Sequence, residues 1–169
     1  KNINKMAEIA VLIPHYNDIE ALIKSIKSID EDIEVDIFIV DDGSSTIPKK
    51  KDFKFYKCGQ VVIIGFVNNK GIEHALNYGL KEIQKRNYPY VGRLDCADTC
   101  AKNRFTKQIN FLKANNNIYL LGSWVKFKDE DNHLLYTFEP PENHKSIRKK
   151  SFLNAMFIHP TVCFRLEIL

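Results

Sequence analysis

No C-x-x-C pair occurs in this chain; its four cysteines, Cys58, Cys96, Cys100 and Cys163, are scattered. A structural zinc site is therefore not expected, and the simplest reading is reduced thiols in a cytoplasmic protein. No apolar run approaches the roughly 18 residues that cross a bilayer. Residues 1–5 are polar and no long apolar segment follows them, unlike a secretory signal. Neither sign of charge dominates, with 25 Lys and Arg against 21 Asp and Glu, a net charge of +4. The short basic clusters Lys49-Lys50-Lys51 and Arg148-Lys149-Lys150 read as solvated surface, with a phosphate-rich ligand or an anionic membrane as the lesser reading. No nucleic-acid partner is expected. Internal repeats and low-complexity tracts are absent.

Glycine is also sparse, at 7 of 169 residues, and none falls into a phosphate-cradling pattern. Without G-x-x-x-x-G-K-[ST], P-loop chemistry is excluded. Without G-x-G-x-x-G after the first strand, a dinucleotide dehydrogenase is disfavoured. A diphosphate bound here would need a cation to offset its charge.

What is present is alternation. Ile9-Ala10-Val11-Leu12-Ile13 is an apolar run halted by Pro14, expected as a strand buried on both faces. Asp18 or Asn17 can cap a helix carrying Ile19, Leu22, Ile23, Ile26 and Ile29. Residues 36–40 form a second strand, ending in the polar turn Asp41-Asp42-Gly43-Ser44-Ser45. After an irregular basic connection over 47–60 comes a third strand over 61–66, the turn Asn68-Asn69-Lys70-Gly71, and a helix from about 72 to 86. Gly79 inside that helix implies a close helix–sheet approach. A fourth strand begins at Tyr90. Such order predicts an α/β fold with a mostly parallel central sheet flanked by helices. Beyond it lie a helix over 104–114, a long strand over 119–127 and a returning strand over 134–138, so a β-hairpin region is expected after residue 118. Asn143 can cap a helix running to about Leu153, and a last strand covers 161–165.

The four β-to-α junctions fall on one edge of such a sheet, where open α/β folds bind ligands. They carry Pro14-His15-Tyr16-Asn17, Asp41-Asp42-Gly43-Ser44, Asn68-Asn69-Lys70-Gly71 and Asp95-Cys96-Ala97-Asp98. An aromatic face, carboxylates, amides and a candidate cation site together suit a nucleotide. Each has a plainer alternative. Tyr16 can pack on the sheet edge, Asp42-Gly43 can be only a turn, and Arg93 can pair with Asp95. His159 can be a satisfied buried histidine. Trp124 reads as core rather than a sugar platform, and Cys96 and Cys100 as inert.

In order along the chain, Val11-Leu12-Ile13-Pro14-His15-Tyr16-Asn17, Ile39-Val40-Asp41-Asp42-Gly43-Ser44-Ser45, Asn69-Lys70-Gly71 with Ala75-Leu76-Asn77 and Gly79, Arg93 to Asp98, Gly122-Ser123-Trp124, and His159-Pro160-Thr161-Val162-Cys163-Phe164-Arg165 resemble family 2 glycosyltransferases of bacterial type. The resemblance spans nearly the whole chain. It implies a GT-A, Rossmann-like fold and transfer of a hexose or N-acetylhexosamine from a nucleotide-diphosphate sugar, commonly a UDP-sugar, usually with inversion. It also implies a glycan or lipid-linked acceptor, such as lipooligosaccharide or capsule. Carried over, Pro14 and Tyr16 line the base pocket and Asp42 hydrogen-bonds the base. Asp41 holds the loop or approaches the ribose, Asn69 and Gly71 shape the donor pocket, Arg93 contacts ribose or phosphate, and His159 lies near the phosphates or the acceptor cleft.

The family commonly carries Asp-x-Asp-Asp where this chain has Asp95-Cys96-Ala97-Asp98. In an extended segment residues 95 and 97 share a side, so Ala97 removes one of two carboxylates aimed at a cation unless the chain turns sharply. Asp98 is then expected as the direct ligand of Mn2+ or Mg2+, with Asp95 reaching the sugar or binding through water. The chain is read as one domain over 1–169, with a nucleotide-sugar half over 1–100 and the start of an acceptor half over 101–169. The general base and any peripheral contact with the inner face of a membrane are expected beyond it. A nucleotidyltransferase and an inactive nucleotide-sugar-binding domain are the alternatives.

Overall fold

The computed structural model describes residues 7–152 and 155–169. A six-stranded sheet with order β3-β2-β1-β4-β8-β5 forms the centre. It is built from β1 (Ile9–His15), β2 (Val35–Asp42), β3 (Val61–Phe66), β4 (Tyr90–Arg93), β5 (Leu120–Leu121) and β8 (Cys163–Arg165). The first four are parallel; β8 runs antiparallel to both β4 and β5. β6 (Val125–Lys128) and β7 (Leu134–Phe138) form a separate hairpin. The expected α/β architecture with a hairpin after residue 118 is therefore present.

β1 and β2 are buried along their whole length, so successive side chains feed two cores. Ile9, Val11 and Ile13 pack with Leu22 and Ile26 of α1 (Ile19–Lys27) and with Phe105, Ile109 and Leu112 of α3 (Arg104–Ala114). Ala10 and Leu12 face the other way, with Phe38, Val40 and the α2 residues Ala75 and Ile83 (α2, Ile72–Gln84). Gly79 permits that approach: a Cβ there would lie 2.3 Å from Leu12 Cδ1 and 2.8 Å from Val40 Cγ2. Asp18 caps α1 by accepting the Ala21 N–H at 2.9 Å.

Several boundaries differ from the sequence expectation, among them the last strand, which starts at Cys163 instead of residue 161. β1 continues through Pro14, which pairs with Val40. Leu12 O accepts the Leu94 N–H, so residues of that parity, Pro14 included, direct their main chain toward β4. β4 ends at Arg93, opposite Leu12, so Pro14 lacks a donor where no acceptor waits. β2 likewise runs on through Asp41 and Asp42 instead of ending in a turn. The single strand expected over 119–127 is two, because the chain leaves the sheet at Gly122-Ser123-Trp124, where the Ser123 N–H is taken by Thr161 Oγ1 at 3.2 Å. Finally, α4 (His144–Lys150), capped by Asn143 accepting the Ser146 N–H, ends before the expected Leu153, which lies outside the described residues.

Candidate functional site

β2 and β3 lie to one side of β1 and β4 to the other, so the strand order reverses between β1 and β4. The helices that follow these two strands, α1 and α3, pack on the same face of the sheet, so the loops after β1 and β4 lie side by side along a candidate crevice at the strands' carboxyl ends, with Cys96 Sγ 3.6 Å from Asp18 O. Pro14 to Asn17 form one wall and Arg93 to Asp98 the other.

In the first wall the side chain of Tyr16 is 51% exposed and so is not packed on the sheet edge. The residues around it are tied down. His15, opposite Asp41 in the parallel register, donates from Nδ1 to Asp41 Oδ1 at 2.8 Å. The Asp18 N–H donates to His15 Nε2 at 3.2 Å, which fixes the tautomer with the proton on Nδ1. Ser44 donates its hydroxyl to Asp41 Oδ1 at 2.6 Å and its N–H to Asp41 Oδ2 at 3.0 Å. Asp41 thus holds the loop.

The next carboxylate, Asp42, is buried and accepts the N–H groups of Lys70 and Gly71, both at 2.8 Å. Each oxygen retains a second lone pair. Gly71 is the N-cap of α2 with φ +96°. Gly43, at φ +76°, lies so close to the β3–α2 loop that a Cβ would meet Asn69 N at 2.5 Å. Residues 42–43 and 68–71 therefore form one rigid corner.

In the second wall Arg93 is buried at the end of β4. One guanidinium nitrogen bonds Asp95, and the other donates to His159 Nδ1 at 3.1 Å. Its buried Nε has no partner among the described residues. An arginine always donates, so neutral His159 carries its proton on Nε2. His159 itself is exposed rather than a satisfied core histidine.

The chain does turn sharply after Asp95. The Asp98 N–H bonds Asp95 O at 3.1 Å, and Ala97 in between has φ +79°. That φ is the third-position value of a type II turn, normally held by glycine or asparagine. Burial, and then the charge of Asp95 across this turn, push the Asp98 carboxyl above its ordinary value, although the residue is exposed. Two carboxylates at one turn are hard oxygen donors of the kind a divalent ion takes, so the chemistry of the donor set fits such an ion. Among the described residues Asp129, Asp131 and His133 also bring ligand atoms within 4.8 Å of one another, exposed at the turn of the hairpin.

Sequence reasoning missed the residues that brace these walls. Arg104 on α3 donates from Nη2 to Arg93 O and Pro160 O, both at 2.9 Å, joining the acidic turn to the His159 segment. Gln108, one turn on, donates to Ser123 Oγ and Thr161 O. A histidine ending an otherwise apolar strand was the available signal for the His15 clip. Trp124, expected in the core, is 52% exposed. Cys96 fits its inert reading: burial, and then the Asp18 charge, push its thiol up to about 11.

Comparison with known proteins defines the class. The family model described as "Glycosyl transferase family 2" matches residues 10–169. The chain is 28% identical over 165 residues to an uncharacterized glycosyltransferase of Methanocaldococcus jannaschii, covering 95% of this chain and 57% of that one. It is 31% identical over 100 residues to an Escherichia coli UDP-Gal:alpha-D-GlcNAc-diphosphoundecaprenol beta-1,3-galactosyltransferase, covering 57% of this chain and 34% of that one. A solved mannosyltransferase of Pyrobaculum calidifontis, in complex with GDP-Man and Mn2+, superposes with a TM-score of 0.66 at 15% identity, over 98% of this chain and 46% of that one. This chain belongs to glycosyltransferase family 2 and has the GT-A fold. It spans from about a third to just over half of the relatives named here. Among the described residues no helix is long and apolar enough to cross a membrane.

Proposed function

We propose that this protein transfers a hexose or N-acetylhexosamine from a nucleotide-diphosphate sugar, most simply a UDP-sugar, to a glycan or lipid-linked acceptor of the cell envelope, with inversion. The observation that carries the reading is the crevice between β1 and β4, with a free aromatic face on one wall and an arginine–carboxylate pair on the other. Tyr16 stacks on the base, flanked by Pro14. Asp42, its oxygens fixed by Lys70 and Gly71, uses a remaining lone pair to accept a base N–H. Asn69 and Gly71 close the pocket. The unpartnered Arg93 Nε, and the Nε2–H of His159, supply donors for ribose or phosphate. The named relatives support the donor class while differing in the base, one being a UDP-galactose enzyme and another holding GDP-mannose.

In the reaction an acceptor hydroxyl oxygen bonds the anomeric carbon as the bond to the diphosphate oxygen breaks; the hydroxyl proton passes to a general base and negative charge is left on phosphate. Asp98, assisted by Asp95, would hold a divalent cation, Mn2+ or Mg2+, which when bound offsets that charge. Arg93 orients Asp95, and Arg104 keeps the turn against the His159 segment. We read 1–169 as one domain, donor-binding over 1–100 and the start of the acceptor half over 101–169. We also read the protein as cytoplasmic, working at the inner face of the membrane. Isothermal titration with UDP, GDP, dTDP and CMP, each with and without Mn2+, tests the pocket. Cation-dependent binding of one nucleotide is expected, and no binding of any sinks the reading. Release of nucleoside diphosphate from the matching sugar by the full polypeptide separates an enzyme from an inactive binding domain.

A further inference from the structure

We propose that His15 and Ser44 are positioning residues that hold Tyr16 in its base-stacking pose, an inference that rests on the nucleotide-site reading above. Both are buried and neither faces the crevice with a free group. Asp41 is the root of the device. One arm runs from Asp41 through the His15 ring to the Asp18 N–H. The other runs from Asp41 through the Ser44 hydroxyl, which accepts the Asn17 N–H at 2.8 Å. The two main-chain groups that follow Tyr16 are thus each gripped by a side chain anchored on β2 or its loop. Asn17 takes φ +55°, which asparagine tolerates, and its Oδ1 accepts both the N–H and the hydroxyl of Ser45 at 2.8 and 3.0 Å. The residues on either side of Tyr16 are thus hydrogen-bonded in place, while its own ring remains half in water.

Although serine, histidine and aspartate meet here, this is no nucleophile. The Ser44 proton goes to Asp41, and His15 Nε2, which would have to act as base, is spent on a backbone N–H. What the cluster does is select one loop conformation. A pocket competent for only a fraction of the time binds more weakly by that fraction. Losing one such buried hydrogen bond shifts the equilibrium between this loop conformation and others by about fivefold, which sets the upper limit of the loss in affinity.

The test is a double-mutant cycle on nucleotide affinity in the full chain, using whichever of UDP or GDP binds. Tyr16→Ala and Ser44→Ala should each weaken binding, Ser44→Ala by up to about fivefold for each of the two hydrogen bonds its hydroxyl makes with Asp41 and the Asn17 N–H. Their combination should bind no worse than Tyr16→Ala alone, because Ser44 acts through Tyr16. Ser44→Thr, which keeps the hydroxyl, should restore affinity. His15→Asn, which keeps a donor toward Asp41 but loses the acceptor for the Asp18 N–H, runs the same cycle should Ser44→Ala not fold. Independent losses that multiply in the double variant overturn the positioning role. An unchanged affinity for Tyr16→Ala overturns the base-pocket reading instead. In ligand-free protein labelled with 3-fluorotyrosine, the Tyr16 resonance should shift or broaden in Ser44→Ala. An unaltered Tyr16 resonance would also overturn the inference, whatever the nucleotide results.

Discussion

Ala97 is where the acidic turn departs from its family, and replacing it separates backbone from charge. The residue is exposed and holds φ +79°. A left-handed conformation costs an L-residue about 1–2 kcal/mol. Ala97→Gly removes that cost but loosens the unfolded chain by about 0.4–1 kcal/mol. The net expectation is a gain of about 0.5 kcal/mol, or roughly 1–2 °C in Tm for a domain of this size, with little change in cation affinity. Ala97→Asp adds a carboxylate beside Asp95 and Asp98. In a water-like setting a charge pair at about 4 Å is worth about 1 kcal/mol, doubled for a divalent ion. Ordering the new side chain takes back part of this, leaving about tenfold tighter Mn2+ binding, or ~1.4 kcal/mol. Titration of Mn2+ in the presence of saturating UDP reads the effect directly. Identical cation affinity in the alanine, glycine and aspartate proteins would refute the claim that this turn is a cation site.

Asp98→Asn should abolish cation-dependent nucleotide binding while leaving the melting temperature close to that of the parent; loss of folding instead would make Asp98 structural. Glu31, buried, accepts the Phe105 and Thr106 N–H groups and the Thr106 hydroxyl at 2.7–2.8 Å, so Glu31→Ala should cost about 2–3 kcal/mol in urea denaturation. Gly79→Ala should destabilise by about 1–2 kcal/mol despite better helix propensity, since its Cβ would strike Leu12 and Val40. The thiols set an alkaline limit. Burial pushes Cys163 up to about 12 and Cys96 up to about 11, from an ordinary 9.0. Above about pH 9 the unfolded chain therefore loses these protons first, and stability should fall as pH rises. Cys96 should alkylate about a hundredfold more slowly at pH 8 than an ordinary thiol, read by mass spectrometry.

The parallel core was legible because continuous apolar runs such as residues 9–13 need burial on both faces, and that requirement is local. α3 was read at its observed bounds for a similar reason: Phe105, Ile109 and Leu112 repeat at helical spacing and all three are buried. The breaks were not legible. Pro14 ends a strand by its own chemistry, yet here it continues one because β4 stops opposite Leu12. Gly122 to Trp124 carry strand-like neighbours, yet leave the sheet because Thr161 takes a backbone N–H.

For the candidate site the division is the same. The sequence by itself determined which chemistry was available, since Tyr16, Asp41, Asp42, Arg93, Asp95 and Asp98 all follow apolar strand segments that a parallel sheet must align at one edge. Only the tertiary structure decided how those groups are spent. It committed Asp41 to His15 and Ser44, gave Asp42 to the α2 N-terminus, and paired Arg93 with Asp95 and His159. These partners lie 26 to 66 residues apart along the chain, save for neighbours such as Ser44 and Asp95. Hydrogen bonding is short-ranged and directional, so such pairings exist only once strand register and helix packing have brought the groups together.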